Sequence, residues 1–187
     1  MHMVQIARRW TVDGIHSFPD DDNRYEVIDG ELFVTPAPRW SHQDAVRELS
    51  RIIHEYVQRE RIGHVFHAPA DVDFSNTRLV QPDLFVVPLV NGRRPGRFRD
   101  VGRLLLAVEV LSPGTARADR VTKRTLFRAE GVPDYWIVDL DARCVERSTP
   151  SDERIDMFVD ELAWHPAGAS TPLAIHLPTL FASVLDQ

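Results

Sequence analysis

Three side chains in this sequence have the types and spacing to hold a divalent cation and act beside it: Asp83, Glu109 and Lys123. Asp83 follows Gln81-Pro82 and opens the apolar run Leu84-Phe85-Val86-Val87, while Glu109 lies near the end of a second apolar run, Leu104 to Leu111. If 83–88 and 104–110 pair as antiparallel strands with Pro88 opposite Leu104, Asp83 falls opposite Glu109. Directly opposed residues share one face of the sheet, with Cβ atoms roughly 4.5–5.5 Å apart. Two carboxylates that close repel unless a proton or a cation sits between them. Mg²⁺, commonly held by one or two carboxylates plus water and phosphate oxygens, is the natural solution. Such an ion activates a bound water and stabilises charge on a phosphoryl oxygen. Lys123 follows Asp119 by four residues and shares a helical face with it. An ammonium there would orient the attacking water or offset anionic charge. Single acids in strands are commonly satisfied by backbone or Arg partners; the three residues together point to chemistry.

The elements that must position these groups are legible around them. Tyr25-Glu26-Val27-Ile28 and Glu31-Leu32-Phe33-Val34 flank Asp29-Gly30, a hairpin signal because a type I′ turn needs positive φ at both central residues. Pro36 and Pro38 close the second strand. Ser41 starts a helix to about Arg61, stopped by Gly63, with Ala45, Leu49, Ile52, Ile53 and Tyr56 as its apolar stripe. His42, in its first turn, reads either as a capping or surface histidine or as a group facing the acids. Residues 64–74 read as one strand and 79–87 as the next, joined by Ser75-Asn76-Thr77. A helix over 117–130 would turn Val121, Thr125, Leu126 and Ala129 inward, with Asp119 and Lys123 at the stripe's edge and Arg120, Arg124 and Arg128 outward. Tyr135 to Leu140 reads as a buried strand. Cys144–Ser148 and Ile155–Asp160 would pair as a hairpin, and 178–185 would close the chain as a short helix. The pattern is α+β, a mixed, mostly antiparallel sheet flanked by helices. It reads as one domain over 1–187, with a core of about 24–140 and a C-terminal hairpin and helix to 185.

The chain has 187 residues, 43% hydrophobic and 27% charged, ordinary values for a globular protein. No apolar run is long enough to span a bilayer, and the N-terminus lacks a signal core. The single cysteine, Cys144, excludes an intrachain disulfide and a multi-cysteine metal site. These features point to the cytoplasm. A net charge of −6 argues mildly against a polyanionic partner, yet distribution matters more than the sum. Arg93, Arg94, Arg97, Arg99 and Arg103 crowd one loop, the best candidate for phosphate contact, the alternative being a solvated loop; Arg120 and Arg124 on the outer face of the later helix would meet a polyanion or water. The acidic run Asp20-Asp21-Asp22 reads as a solvated loop, and Asp71 and Asp73 as solvated strand residues. Lys123 is the only lysine in a chain whose 22 basic residues are otherwise arginine.

Taken in order, Arg24-Tyr25-Glu26-Val27-Ile28-Asp29-Gly30-Glu31-Leu32, Ser41-His42, Gln81-Pro82-Asp83, Glu109-Val110-Leu111-Ser112-Pro113, Asp119, Lys123 and Gly131-Val132-Pro133-Asp134-Tyr135-Trp136 resemble the Uma-two family of restriction-endonuclease-like proteins. The resemblance covers roughly 24–140 and resumes at Leu180-Phe181. That family belongs to the PD-(D/E)xK nuclease superfamily, so the resemblance implies a restriction-endonuclease-like core and hydrolysis of a nucleic-acid phosphodiester with Mg²⁺ or Mn²⁺. It implies that Asp83 and Glu109 bind the metal and that Glu26, His42 and Asp119 support them. The lysine expected two residues after the second acid is absent, since position 111 is Leu, and Lys123 on the following helix takes its place. Phe127 stands where the family often has Tyr. DNA is the expected partner of a cytoplasmic endonuclease, acting alone or as a homodimer. The alternative is a nuclease fold kept as a DNA-binding or regulatory module without hydrolysis.

Overall fold

The computed structural model describes residues 9–19, 23–35, 38–152 and 154–186. The Asp20-Asp21-Asp22 run and Pro36 lie outside the described residues. A single helical turn, α1 (Val12–Ile15), precedes the first hairpin. There Asp29 and Gly30 take φ of 52° and 85°, as a type I′ turn demands. Strand β1 (Arg24–Ile28) therefore returns as β2 (Glu31–Thr35), with Ile28 opposite Glu31.

The long helix α2 (Trp40–Glu60) buries Ala45, Leu49, Ile53 and Tyr56 of the expected stripe and adds Val57, while Ile52 is only half-buried at its edge. It stops at Arg61, which takes φ 55°, so the left-handed cap is an arginine and not Gly63. Gly63 opens the next strand, where a Cβ would stand only 2.5 Å from the Val87 carbonyl oxygen. Close backbone approach explains this glycine.

Residues 64–74 do not form one strand. They divide into β3 (Gly63–His67) and β4 (Val72–Ser75), and 79–87 divides into β5 (Arg78–Val80) and β6 (Leu84–Pro88). The break at Gln81-Pro82-Asp83 moves the chain from one sheet to another. Pro82 has no N–H to donate, and the Gln81 N–H donates to Glu26 Oε1 at 2.8 Å. The remaining strands are β7 (Leu106–Val110), β8 (Tyr135–Asp139), β9 (Cys144–Ser148), β10 (Asp156–Phe158), β11 (Glu161–Trp164) and β12 (Leu173–His176).

The main sheet has the order β10-β9-β8-β7-β6-β3, and a second has the order β2-β1-β5-β4. A two-stranded sheet, β11-β12, follows the expected β9-β10 hairpin and has no counterpart in the sequence reading. Every pair is antiparallel except β7 and β8, whose crossover carries a π-helical turn over Ala118–Lys123 continued by α3 (Arg124–Ala129). The chain closes in α4 (Leu177–Leu185). Alternation along the central strands sends one set of side chains to each face. Val86, Val108, Trp136 and Val138 pack with α2, α4 and Trp164. Phe85, Val87, Ala107, Tyr135 and Ile137 pack with α3 and with Ile28, Val72 and Val80 of the second sheet. This mixed, mostly antiparallel α+β arrangement is the one expected.

Candidate active site

Strand β7 runs antiparallel to β6 with Leu84 opposite Val108. Continued by one residue, that register sets Asp83 opposite Glu109, just past the end of β6. Glu109 points to the same face as Ala107, toward the crossover helix. That face receives Lys123, whose Nζ lies 2.9 Å from Glu109 Oε1, 2.9 Å from Glu26 Oε2 and 3.5 Å from Asp119 Oδ1. All four side chains are buried. Residues from β1, β7 and the π-helical turn thus meet at one ammonium.

The π-helical turn is what aims the lysine. The Arg124 N–H donates to the Asp119 carbonyl five residues back, widening the turn, and the Tyr135 hydroxyl donates to the same carbonyl at 3.0 Å. The inward face is Asp119, Lys123, Leu126 and Phe127. This corrects the expected stripe: Val121 is 59% exposed, and Thr125 and Ala129 also face out. Phe127 is core, packed against Tyr135 with ring centroids 4.7 Å apart.

Asp83 is held from the opposite side. Arg24 Nη1 lies 2.7 Å from Oδ1, His42 Nε2 lies 3.0 Å from Oδ2, and the Val110 N–H donates to Oδ2 at 2.8 Å. His42 is therefore neither a cap nor a surface residue; it is buried and turned to the acids. Sequence reasoning passed over Arg24, although it lies two residues before Glu26 on the same strand face, a period-two signal that was available.

Charges in this cluster hold one another in place. Burial opposes ionisation of Asp83, but His42, Arg24 and the Val110 N–H outweigh it and lower its pKa. Burial raises Glu109 well above the ordinary carboxylate range, Lys123 pulling against it and the other acids pushing further. Asp119 is raised for the same first reason, burial. Burial also works against the Lys123 ammonium, yet Glu109, Glu26 and Asp119 together raise its pKa above the usual lysine value.

Three carboxylates share this one ammonium, and Asp119 Oδ1 lacks a hydrogen-bond partner among the described residues. Clustered carboxylate oxygens are the hard donors that Mg²⁺ or Mn²⁺ takes. Among the described residues no three Asp, Glu, His or Cys side chains are placed to hold a metal ion; the oxygens of Asp83 and Glu109 face Arg24, His42 and Lys123. The cluster opens into a cavity of about 380 Å³ whose walls include Arg39, Ser112, Pro113 and Thr115.

The other expected residues do not converge here. The arginine loop joins the far end of β6 to the start of β7, whereas Asp83 and Glu109 occupy the opposite end of that hairpin, about 17 Å away at roughly 3.4 Å per residue. Arg97 and Arg99 line a separate cavity of about 320 Å³ with Phe66 and Phe85. Arg99 pairs with Asp73, Arg97 with Asp100, and Arg94 lies over the Phe66 ring, while Arg93 bridges back to Val90. Asp73 is thus an ion-pair partner and not merely solvated. Arg120 binds Glu146 and Asp139, and Arg124 binds Glu146, so both face carboxylates of the main sheet and not open solvent.

Among the described residues, no helix is long and apolar enough to cross a membrane. No curated protein matches the chain. Its fold is similar to that of a solved structure described as "a putative nuclease" of the DUF820 group from Anabaena variabilis ATCC 29413, with a TM-score of 0.78 and 23% identity over 94% of this chain and 99% of that one. Residues 12–172 match the model of the Uma2 family, whose description is "Putative restriction endonuclease". That span contains Glu26, His42, Asp83, Glu109, Asp119 and Lys123, the whole of the buried cluster, and the chain belongs to the Uma2 family.

Proposed function

We propose that this protein is a nuclease that hydrolyses DNA phosphodiester bonds with Mg²⁺ or Mn²⁺. The observation that carries the reading is the buried cluster itself: Glu26, Glu109 and Asp119 around Lys123, with Asp83 adjacent, opening to a cavity. Asp83 and Glu109 would hold the metal, with Glu26 and Asp119 in support. A metal bound there would supply a water of lowered pKa and stabilise charge on a phosphoryl oxygen. Asp83 stays ionised because Arg24 and His42 neighbour it, which keeps it competent as a ligand. Lys123 is held charged by its carboxylates. Its role is therefore to orient a water or offset anionic charge, not to accept a proton.

Supercoiled plasmid incubated with Mn²⁺ or Mg²⁺ should be nicked or linearised, and chelator should abolish the reaction. Asp83→Asn, which preserves shape, should lower the rate by on the order of 100-fold or more. Cleavage by Asp83→Asn and Lys123→Met at the wild-type rate would sink the assignment.

A second reading is favoured by one feature: both carboxylate oxygens of Asp83 are already engaged, by Arg24 on one side and by His42 and the Val110 N–H on the other. If the wild-type protein binds DNA with steep salt dependence but never cuts it, the chain is a DNA-binding module on a nuclease fold.

A further inference from the structure

The first turn of α2 carries groups that the acidic cluster does not use. Arg39 precedes the helix without a side-chain cap, and the first turn contains no acidic residue. The N–H groups of Trp40, Ser41 and His42 have no helical carbonyl to bond. They lie at the positive end of a 21-residue helix whose first turn walls the cavity holding Asp83 and Glu109. That end of a helix favours phosphate.

His42 provides an independent sign of a missing ligand. It is 6% exposed, its Nε2 donates to Asp83, and its Nδ1 is buried with no hydrogen-bond partner among the described residues, so it calls for a water that donates to it or, when the ring carries both protons, for a phosphate oxygen. It lines both the acidic cavity and a neighbouring one of about 230 Å³ that also takes in Arg39, Ser41 and Ser112. Beside these polar groups stands Trp40, 89% exposed, whereas Trp136 and Trp164 are 0% exposed. A large aromatic ring left in water next to a phosphate-seeking turn has the makings of a stacking platform, since every nucleobase offers a π face. Stacking also suits a chain of net charge −6, which holds polyanions weakly by charge alone.

We infer that the Arg39–His42 turn seats a phosphate of the substrate strand and that Trp40 stacks the adjoining base. A base inside continuous duplex is already stacked on its neighbours, so the substrate has an unpaired base at the site: a single strand, or a duplex opened there. The inference rests on the nuclease reading for where the scissile bond lies, but not for the binding itself.

Anisotropy of a dye-labelled oligothymidylate titrated with protein in Ca²⁺, the oligonucleotide checked intact on a gel, gives the affinities, and tryptophan emission reports the stacking. The wild type should be quenched and should bind the oligothymidylate more tightly than a hairpin duplex of equal length. Trp40→Ala should lose the quenching and bind the oligothymidylate about 10-fold more weakly, while Trp40→Phe, which keeps a ring, retains most of the affinity. Arg39→Ala should weaken binding of both probes and lower the salt slope by about one. Trp40 and Arg39 are both exposed, so neither truncation removes core packing, and a circular dichroism spectrum equal to wild type checks that the variants fold. Equal oligothymidylate affinity in wild type and Trp40→Ala overturns the inference. So does a Trp40→Ala variant that binds normally and has only lost self-association. Quenching and single-strand preference without any cutting in Mn²⁺ would support the docking turn and overturn the nuclease reading. Plasmid cutting indifferent to Trp40→Ala, with unchanged binding, would do the reverse.

Discussion

Lys123 meets Glu26, Glu109 and Asp119 with one positive charge against three carboxylates, all of them buried. Removing one partner of a buried charge cluster leaves the others uncompensated, which costs more than the pair itself contributes. Lys123→Met should therefore destabilise the fold by about 3–5 kcal/mol at neutral pH, measured by urea denaturation. The loss should shrink as pH falls. Glu109 and Asp119 already have raised pKa values, and without the ammonium they rise further. An acid whose folded pKa exceeds its unfolded one destabilises the fold above the unfolded pKa and ceases to do so once protonated. A deficit that stays constant between neutral and mildly acidic pH would mean that these carboxylates are solvated in the variant.

At the scale of elements, the site depends on how closely strands and turns approach. β3 is an edge strand of the main sheet and lies against β6, the strand that leads out of Asp83. Gly63 makes that approach possible, because a Cβ there would meet Val87 O at 2.5 Å, Val86 Cγ1 at 3.1 Å and Leu105 Cδ1 at 3.3 Å. The nearest obstacle is backbone, which cannot rotate aside. Gly63→Ala should cost about 1–3 kcal/mol, the usual range for overpacking, and lower the thermal midpoint accordingly. A midpoint equal to wild type would show that β3 shifts without strain. The π-helical turn does comparable work for Lys123: the wider turn and the Tyr135 hydroxyl on Asp119 O place residues 119 and 123 inward together.

Across the whole molecule, the C-terminal part is fastened to the end of α2 by Glu60. Its carboxylate accepts from the Ser170 N–H at 2.7 Å, the Ser170 hydroxyl at 2.6 Å and the Thr171 hydroxyl at 3.0 Å. The Ser170 hydroxyl and N–H bonds foremost lower its pKa from 4.5 to about 2. A depressed folded pKa contributes stability that is complete above the unfolded value and lost as pH falls through the folded one. The Glu60 contribution should therefore fade between about 4.5 and about 2. Glu60→Gln should lack that part of the acid limb, giving a shallower dependence of the urea midpoint on pH across this window; parallel curves for the two proteins would exclude the fastening. The same whole-molecule view separates the arginine loop from the acids, since a hairpin that places Asp83 and Glu109 at one end places its loop at the other.

The sequence by itself determined what local chemistry dictates. Positive φ at Asp29-Gly30 set the first hairpin, helical spacing set the buried face of α2, and strand limits placed Asp83 opposite Glu109, the register observed. Only the tertiary structure decided features in which a distant partner outweighs local preference. The strand read across 79–87 breaks because Glu26, 55 residues away in sequence, takes the Gln81 N–H where Pro82 has none to offer. The helix phase around Lys123 shifts because a π-helical turn, anchored by Tyr135 from the next strand, replaces an α-helical one. Arg24 and His42 reach Asp83 only once β1 and α2 have packed against the sheet. Arg120 and Arg124, outward by helical count, meet Glu146 and Asp139 because β8 and β9 lie beside the crossover. Periodicity records which face a residue occupies, but a charge buried by folding goes to whichever opposite charge the fold brings near.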